Sequence, residues 1–557
     1  MATELRLDDL AYVPFSERPT TAIKTGTWKY VEPVYQNALP PCSATCPAGN
    51  DISYALLLLA KGQALDAARW WRRKNPIPAT LGRVCPHPCE QPCNRELLGG
   101  AIAVHMVERF LGDLEGEVLP RPAAATGKNV AVVGAGPAGL AAAYNLRLAG
   151  HEVHVYDDKD APGGYLRTGI PEYRLPRNVL DREVGMIASL GVVFHQRLRI
   201  GRDIALNDLR DQHDAVVLAL GFHKSRALRI PGEDHPNVYN GVKLLERLLA
   251  GERPPLPHRM AVVGGGNTAM DVARSLLRVG VEPVVVYRRT RAEMPAIASE
   301  VEDAMAEGIP FEFLAAPVRV LVEGGRITGL ECQRMALGEP DASGRRRPVP
   351  VPGSEFVIPC AGVVTALGEE VDLDGLPEQA AKADPRQAAP IPGVFLAGDM
   401  VDGAGTVTAA VGSGIRVAAV VHGYLTGEPL PAEAPRVQEL WARDVALDRK
   451  VEFAKLNTAY FQPVPRPHIA HLSPGERRSN FAEVVQGWGP EQAILEARRC
   501  LACGTCNECF TCFYFCPDVA IHRVDGGFVV DREHCKGCGI CVQECPRHAL
   551  ILREVTR

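Results

Sequence analysis

Residues 129–158, NVAVVGAGPAGLAAAYNLRLAGHEVHVYDD, contain the pattern that decides the fold. A short apolar run leads directly into Gly134, Gly136 and Gly139, which open a helical stretch, and a second apolar run ends at Asp157. The glycines permit a tight turn and a close approach to a pyrophosphate, while the acid can accept hydrogen bonds from a ribose hydroxyl. A purely structural glycine turn is the alternative, but strand, helix, second strand and acid all fall at the expected spacing. The stretch therefore predicts a dinucleotide-binding βαβ unit.

A second stretch, residues 260–290, repeats this design as MAVVGGGNTAMDVARSLLRVGVEPVVVYRRT. Its turn contains three small residues, Gly264, Gly266 and Ala269. The second strand ends in Arg288 and Arg289, where the first unit has an acid. Guanidinium groups there suit the 2′-phosphate of NADP, while local ion pairs or simple solvation of the arginines are the alternatives. We expect this unit to bind NAD(P), and the choice between NAD and NADP stays open.

The second unit is inserted within the first, as in a flavin reductase with two dinucleotide-binding folds. Residues 393–418, GVFLAGDMVDGAGTVTAAVGSGIRVA, resemble the returning FAD segment of that class. Gly398 and Asp399 would reach the ribityl or phosphate region, and a helix starting near Thr406 would point its N-terminus at the flavin ring. No cysteine pair at redox spacing lies between the two units, which excludes a dithiol mechanism. No catalytic acid or base is expected, because hydride passes directly between nicotinamide and flavin.

Electrons must then leave the flavin by another route, and seventeen cysteines suggest one. Fifteen fall in three runs, and we interpret the other two, Cys332 and Cys360, as buried and inert. The pattern C-x2-C-x2-C-x3-C-P occurs twice after residue 505 and is that of bacterial two-cluster ferredoxins. A zinc ribbon is the alternative, but it needs two pairs of cysteines per metal. The expected ligand sets are Cys506, Cys509, Cys512 and Cys545 for one cluster, and Cys535, Cys538, Cys541 and Cys516 for the other.

Further motifs occur in order along the chain. PCSATCP, GRVCPHPCEQPCN, GGAIAVHMVERF, GGYLRTGIPEYRLP, VVGGGNTAMD and YRRTRAEMPA together resemble the small subunit of NADPH-dependent glutamate synthase and its flavoprotein relatives. The resemblance covers about residues 40–425 and implies a helical N-terminal domain with two [4Fe–4S] clusters ahead of the FAD and NAD(P) domains. It also implies further cofactor contacts, from Gly164, Leu166 and Arg167 for FAD and from Asn267 and Thr268 for NAD(P).

The sequence departs from that family at one element. Relatives carry Arg-Cys-x-x-Cys just before the positions of Cys42 and Cys46, whereas here the element occurs at residues 499–503. The resemblance therefore implies one cluster on Cys42, Cys93, Cys500 and Cys503, and another on Cys46, Cys85, Cys89 and Glu108. A free or zinc-bound pair is the alternative for Cys500 and Cys503, and an ordinary exposed helix residue is the alternative for Glu108. Fifteen cysteines and Glu108 would then fill four clusters.

Composition sets limits on the remaining possibilities. The formal charge of −5 argues against a nucleic-acid partner, no run of about 20 apolar residues predicts a membrane span, and no secretory signal opens the sequence. We therefore expect a cytoplasmic α/β protein with two nested Rossmann-like domains. The expected domains are an N-terminal arm (1–40), a helical [4Fe–4S] domain (41–120), an FAD domain in two parts (128–240 and 351–425), an NAD(P) domain (241–350), a connector (426–499) and a bacterial ferredoxin-like domain (500–557).

These features predict an iron–sulfur flavoprotein that moves electrons between NAD(P)(H) and [4Fe–4S] clusters through FAD. Similar fused subunits serve 2-oxoacid:acceptor oxidoreductases, so the resemblance favours the NAD(P)+-reducing subunit of a CoA-forming complex. Its expected partners are other subunits of that complex or a ferredoxin. The alternatives are a stand-alone NAD(P)H:ferredoxin oxidoreductase, the glutamate synthase small subunit itself, and an assembly scaffold whose clusters are structural. The substrate, the electron direction and the oligomeric state stay open.

Overall fold

Two five-stranded sheets of parallel strands form the centre of the molecule. The computed structural model describes residues 24–341, 344–403, 405–429, 432–436, 439 and 445–555. Residues 1–23 of the predicted arm lie outside the described residues. Within these ranges, no helix is long and apolar enough to cross a bilayer.

Among the described residues, two short strands and five short α-helices precede the sheets. They are β1 (Val31–Tyr35), β2 (Asn37–Leu39), α1 (Pro41–Thr45), α2 (Ile52–Ala60), α3 (Ala64–Trp71), α4 (Pro78–Val84) and α5 (Val104–Asp113). Proline occupies the first position of α1 and of α4, where its missing N–H costs no helical hydrogen bond. A cysteine follows each helix directly, Cys46 after α1 and Cys85 after α4. Helix ends therefore place two of the predicted ligands.

The first sheet is built around the glycine turn of residues 129–158. Its first half contains β3 (Asn129–Val133), α6 (Pro137–Leu148), β4 (Glu152–Tyr156), α7 (Tyr165–Thr168), α8 (Arg177–Ser189), β5 (Val193–His195), α9 (Leu206–Gln212), β6 (Ala215–Leu218) and β7 (Lys224–Ser225). β6 is buried along its whole length, and both β3 and β6 are rich in valine, as in parallel strands covered on two faces.

The second sheet has the order β11-β10-β9-β15-β8. Its elements are β8 (Val238–Asn240), α10 (Gly241–Leu249), β9 (Arg259–Val263), α11 (Asn267–Arg278), β10 (Glu282–Tyr287), α12 (Ala298–Ala306), β11 (Phe311–Phe313) and β15 (Gly362–Thr365). An antiparallel sheet of β12 (Ala315–Glu323), β13 (Arg326–Pro340) and β14 (Arg346–Ile358) packs on one face, and helices α10 to α12 pack on the other. The sheet takes β8 and β15 from outside the range 241–350, so this unit extends beyond the predicted domain on both sides.

The chain then returns to the first sheet, whose order is β17-β6-β3-β4-β5. The returning elements are β16 (Glu369–Glu370), β17 (Val394–Leu396), α13 (Asp399–Asp402) and α14 (Val407–Thr426). β16 pairs with β7, so two short strands join the two units where the chain crosses between them. α14 packs along α6, which brings the returning helix beside the first glycine turn.

The remaining elements form the connector and the cysteine-rich C-terminal module. They are β18 (Val445–Lys450), α15 (Pro474–Arg477), α16 (Pro490–Arg499), α17 (Thr511–Tyr514), β19 (Ile521–Val524), β20 (Gly527–Val530), α18 (Ile540–Gln543) and β21 (Leu550–Glu554). Residues 31–39 of the predicted arm belong to this part of the structure, because β1 pairs antiparallel with β21 and β2 pairs with β18. α16 packs against α2 and α5, so the module also rests on the helical domain.

Candidate functional site

The turn between β3 and α6 is shaped to accept a phosphate group. Gly134 has φ +102°, and a Cβ there would lie 2.3 Å from the carbonyl oxygen of Ala219. A Cβ on Gly139 would lie 1.9 Å from the carbonyl oxygen of Gly134. At Gly136 nothing lies within 4 Å of an added Cβ, so the turn opens into free space at the start of the 12-residue α6. The unpaired N–H groups of a first helical turn suit a pyrophosphate at this point.

Asp157 follows β4 and holds this turn in place. The N–H of Ala135 donates to its Oδ2 (2.6 Å), and the N–H of Lys159 donates to its Oδ1 (2.9 Å). Burial raises the pKa of Asp157, and the two N–H groups oppose that shift. Each carboxylate oxygen has a second lone pair, so hydrogen bonding to a ribose hydroxyl is compatible with these contacts.

The segment after β4 contains the other predicted FAD residues, which lie in different surroundings. A Cβ on Gly164 would lie 2.8 Å from Cα of Gly136, so the two glycine-containing turns touch. Leu166 is fully buried in the core. The guanidinium of Arg167 donates to a backbone carbonyl (2.8 Å) and pairs with Asp181. Of these three residues, Gly164 is therefore the one that contacts the first turn directly.

The returning segment closes the same site from the other side. The N–H of Gly398 donates to Oγ of Ser413 (2.9 Å), which ties the turn to α14. Oδ1 of Asp399 accepts an N–H from the following loop (3.3 Å), and burial raises the pKa of this carboxyl group. Thr406 caps α14 by accepting the N–H of Ala409 at 3.2 Å. The N-terminus of a 20-residue helix is thus fixed next to the turn.

Three side chains that the sequence analysis did not select lie in the same region. The ring of Tyr165 stacks on His223, with 5.9 Å between the ring centres. Burial, followed by the nearby charge of Glu369, raises the pKa of Tyr165, and burial raises the pKa of Glu369. Tyr165 adjoins Gly164 in the sequence, which is a usable signal. His223 and Glu369 belong to no motif. The pairing of the crossing strands β7 and β16 brings them together, so no local sequence signal marks them.

The second glycine turn repeats the construction of the first. A Cβ on Gly264 would lie 2.3 Å from the carbonyl oxygen of Ala366, and nothing lies within 4 Å of a Cβ on Gly266. Oδ1 of Asn267 accepts the N–H of Ile297 (2.9 Å), which fastens the loop before α12 to the start of α11. Thr268 is half-buried in the first turn of α11. This turn also opens into free space, as a bound nucleotide requires.

The two predicted phosphate-binding arginines have different surroundings. Arg288 is exposed at the end of β10. Arg289 is only 5% exposed, pairs with Asp341 (2.7 Å) and donates from Nε to the carbonyl oxygen of Arg346 (2.7 Å). Arg289 therefore makes the local ion pair that the sequence analysis gave as an alternative, and Arg288 is the exposed member of the pair.

A buried ionic network fixes the second unit against the first. Arg174, in the loop before α8, donates to both carboxylate oxygens of Asp271 (2.9 and 2.8 Å) and pairs with Glu300 (3.0 Å). The neighbouring ring of Tyr173 lies 3.9 Å from the guanidinium carbon of Arg278. These contacts join the FAD-side loop to α11 and α12, and their burial makes them costly to separate.

The first group of predicted cluster ligands lies inside the helical domain. Cys46, Cys85, Cys89 and Glu108 are each no more than 6% exposed. Burial, with a smaller contribution from the charge of Glu108, raises the pKa of Cys46 to about 12. Trp71 and Asn75 each donate to Oε1 of Glu108 at 3.0 Å, and burial raises the pKa of this carboxyl group to about 8. Glu108 is therefore not an ordinary exposed helix residue.

The second group forms where the helical domain meets the C-terminal segment. Cys42, Cys93, Cys500 and Cys503 line one cavity, together with apolar side chains that include Leu56 and Ile102. Arg499 anchors the C-terminal pair, since it donates to the carbonyl oxygens of Gly99 (2.8 Å) and Gly100 (2.7 Å). Asn94 donates from Nδ2 to Sγ of Cys503 (3.3 Å). The structure thus brings together the four residues that the family resemblance grouped.

The third and fourth groups lie in the C-terminal module. Cys506, Cys509, Cys512 and Cys545 line a second cavity, beside Tyr35 and Phe528. Burial raises the pKa of Cys541 to about 12, and the neighbouring thiols of Cys535, Cys516 and Cys538 add to that rise. Cys509 and Cys538 are exposed. The first crossed set of the ferredoxin pattern therefore lines one cavity, and the other three cysteines of the second set are near enough to Cys541 to affect its pKa.

Short chain segments connect neighbouring groups. The linked pairs are Cys42 with Cys46, Cys503 with Cys506, and Cys512 with Cys516. A separation of four residues on α1 corresponds to about 6 Å along the axis, and three residues of chain span at most about 11 Å. At the flavin side, α14 packs so closely on the first group that a Cβ on Gly412 would lie 2.0 Å from the carbonyl oxygen of Pro47.

Comparison with known families agrees with this division of the chain. The family model described as "Pyridine nucleotide-disulphide oxidoreductase" matches residues 128–414. "Dihydroprymidine dehydrogenase domain II, 4Fe-4S cluster" matches residues 34–118, and "4Fe-4S binding domain" matches residues 528–551.

Three curated relatives match this chain over most of their length. The NADP(+)-dependent formate dehydrogenase subunit beta of Moorella thermoacetica is 39% identical over 83% of this chain and 70% of its own length. The NADPH-Fe(3+) oxidoreductase subunit beta of Geobacter sulfurreducens is 36% identical over 89% of this chain and 79% of its own length. The glutamate synthase [NADPH] small chain of Azospirillum brasilense is 37% identical over 72% of this chain and 89% of its own length.

These matches confirm the predicted fold class and the resemblance to the glutamate synthase small subunit. They also confirm an FAD-dependent NAD(P)H oxidoreductase with iron–sulfur domains on both sides of its dinucleotide-binding core. The matched core, residues 128–414, spans more than half of the 557-residue chain. The chain is a member of the pyridine nucleotide-disulphide oxidoreductase family.

Proposed function

We propose that this chain transfers electrons between NADP(H) and a partner subunit through FAD and four [4Fe–4S] clusters. The observation that carries the proposal is the order of the four ligand groups, which begins beside α14 and continues to the exposed Cys538. Neighbouring groups share chain segments of three or four residues, so each cluster would have the next one close by. An arrangement of this kind suits stepwise transfer of single electrons.

The donor chemistry of the four groups supports the proposed ligands. Three groups offer four thiols each, and soft thiolates in fours favour iron–sulfur clusters. The first group offers three thiols and the buried carboxylate of Glu108, whose Oε1 accepts two hydrogen bonds at 3.0 Å. Such hydrogen bonds hold a carboxylate in one orientation, as ligands to metals require. We therefore assign Glu108 as the fourth ligand of that cluster.

Around the nucleotides, the residues of this chain bind, orient and exclude water. When bound, FAD takes a hydride from the nicotinamide and passes its electrons on singly. The turn at Gly134 and Gly136 would hold the pyrophosphate of FAD, Asp157 its ribose, and Asp399 with the N-terminus of α14 the flavin side. The ionic network around Arg174 would keep the nicotinamide-binding unit in a fixed relation to the flavin. The hydride step itself would require no side-chain acid or base.

For the second nucleotide we propose NADP, with Arg288 as the contact to its 2′-phosphate. Arg288 is exposed at the end of the strand that follows the glycine turn, which is the usual position for this role. Arg289 would act by bracing the loop, because its guanidinium is paired with Asp341. The names of the three relatives, each of which mentions NADP or NADPH, support this choice of nucleotide.

The partner subunit defines the overall reaction. The sequence analysis favoured a CoA-forming 2-oxoacid oxidoreductase, and the relatives suggest formate dehydrogenase or NADPH–Fe(3+) oxidoreductase as further candidates. We keep the 2-oxoacid complex as one hypothesis and propose, as the function common to all, a nucleotide-linked electron-transfer subunit. Anaerobic purification from the native source, followed by identification of co-purifying chains, separates these candidates. NADP reduction by formate, or by a 2-oxoacid with CoA, then tests each one.

The cluster number is tested on the isolated chain. Anaerobic analysis should give about sixteen irons and one FAD per chain if all four groups are filled. About eight irons would contradict the two N-terminal groups, and abundant zinc would contradict the iron assignment as a whole. Rapid bleaching of the flavin and clusters by NADPH is expected. If NADPH leaves both absorptions unchanged, the electron-transfer role is wrong and the scaffold alternative gains support.

A further inference from the structure

The N-terminal arm contributes side chains to the third cysteine group, although no cysteine lies in the arm. β1 pairs antiparallel with β21, with Tyr35 opposite Leu550. The ring of Tyr35 stacks on Phe528, with 6.3 Å between ring centres, and the side chain lines the cavity formed by Cys506, Cys509, Cys512 and Cys545. Two residues further on, Oδ1 of Asn37 accepts the N–H of Cys506 (3.2 Å). The arm thus forms one wall of this group.

The decisive contact joins the phenol of Tyr35 to a proposed cluster ligand. Its Oη lies 3.1 Å from Sγ of Cys512, which is only 6% exposed. A cysteine that binds iron is a thiolate and has no proton to give, so the phenol must be the donor when the cluster is bound. Hydrogen bonds to a charged acceptor are stronger than neutral ones, and a buried position strengthens them further.

We propose that Tyr35 is a positioning residue that raises the reduction potential of the cluster held by Cys506, Cys509, Cys512 and Cys545. The inference rests on the proposed ligand sets. Reduction adds negative charge to the cluster and its sulfur ligands, so a donor at Sγ stabilises the reduced state more than the oxidised state. Tyr35 influences a one-electron exchange with the neighbouring cluster, in which no bond forms or breaks and the phenol keeps its proton.

This role would give the arm a function in electron transfer as well as in folding. The third group stands between the group of Cys503 and the group of Cys516, so its potential affects transfer in both directions. A higher potential favours the presence of an electron at this position. The strand pairing of β1 with β21 holds the phenol in place, because Tyr35 is the last residue of that strand.

The test compares Tyr35→Phe with Tyr30→Phe in the full chain. Tyr30 lies in the same arm but is 74% exposed, so its variant controls for loss of a phenol without loss of this contact. Potentials are measured by EPR-monitored redox titration, and a Cys509→Ser variant identifies the signal of the third cluster. We expect Tyr35→Phe to lower the reduced-to-oxidised ratio of that cluster about tenfold at fixed potential, or about 59 mV for one electron. Tyr30→Phe should leave it unchanged.

An unchanged potential in Tyr35→Phe, with the iron content of the native chain, would overturn the inference. If this variant loses the cluster, 3-fluorotyrosine at position 35 provides the second test, since an electron-withdrawing fluorine makes the phenol a stronger donor. The potential should then rise, and a potential that stays constant or falls would overturn the inference. Failure of the ligand assignment itself is seen separately, because Cys509→Ser would then leave every cluster signal of the native chain intact.

Discussion

The double variant Cys500→Ala with Cys503→Ala tests the cluster proposed between the helical domain and the C-terminal segment. The four cysteines that line this cavity come from three separate parts of the chain, near residues 42, 93 and 500. Removing two of four ligands should remove the whole cluster, so iron should fall by about four from about sixteen. Flavin reduction by NADPH should persist, while reduction of the two C-terminal clusters should slow at least about tenfold because the link between them and the first cluster is gone.

The same variant should loosen the helical domain. Metal binding contributes about 10–16 kcal/mol to the folding of small zinc domains, and a cluster that joins three distant segments should contribute on a comparable scale. The strand pairing of β1 with β21 and the hydrogen bonds of Arg499 to Gly99 and Gly100 remain, so the chain should stay folded but become more sensitive to protease. Iron and sulfide analysis, EPR and limited proteolysis measure these effects.

The matched control is Cys332→Ala with Cys360→Ala. Both residues are buried, at 0% and 5% exposure, and both lie in the core between the second sheet and its antiparallel cover. This control removes two buried thiols without touching any proposed ligand, so it should keep the native iron content. If the Cys500 and Cys503 variant also keeps all of its iron, the two cysteines are not ligands and the proposed shared cluster is wrong.

Three further predictions concern the nucleotide sites and the first cluster. Arg288→Asp should raise KM for NADPH by about tenfold or more and change KM for NADH little, since a charge partner of the 2′-phosphate is lost; equal effects on both nucleotides would contradict the assignment. Arg174→Met should lower the free energy of unfolding by roughly 3–5 kcal/mol because it leaves the buried carboxylate of Asp271 without its ion-pair partner, whereas Arg247→Ala, which breaks an exposed pair with Glu252, should cost no more than about 1 kcal/mol in the same denaturant titration. Glu108→Gln should lower the iron content by about four per chain if the carboxylate is a ligand. An unchanged iron content in this variant would show that Glu108 is not a ligand and has a structural role.

Regular spacing in the sequence was enough to predict most of the fold. The contact that requires Gly139 is local, with the carbonyl oxygen of Gly134, so this part of the motif carries its own information, whereas Gly134 and Gly264 are required by contacts with the distant residues Ala219 and Ala366. The ferredoxin pattern is equally local, because three ligands of each set fall within seven residues. The assignment of Cys516 and Cys545 to the opposite sets stays a prediction, which follows from the two occurrences of the pattern and from the role of its fourth cysteine in bacterial ferredoxins.

Contacts between distant segments could not be read from the sequence. Strand β1 has five residues, contains Pro33 and pairs with a strand more than 500 residues away, so local periodicity does not predict this strand. Asp341, which pairs with Arg289, lies at the end of a long antiparallel strand that the sequence analysis did not distinguish from the neighbouring loops. Strands β8 and β15 join the second sheet from both sides of the predicted domain. The sequence analysis did not identify them, because they are only three and four residues long.

The position of the arm changes how the C-terminal module relates to the rest of the chain. A two-cluster ferredoxin pattern suggests a separate module attached by a connector, which would have to dock before each transfer. Here β1 supplies an edge strand to the module, Asn37 binds the backbone of Cys506, and the cavity of Cys42, Cys93, Cys500 and Cys503 lies at the junction. Because the same arm continues directly into α1, the wall of the third group and a proposed ligand of the second group are only seven residues apart, at Tyr35 and Cys42. The distances between successive groups are therefore set by covalent chain and strand pairing, and the docking step that remains is the one with the proposed partner subunit.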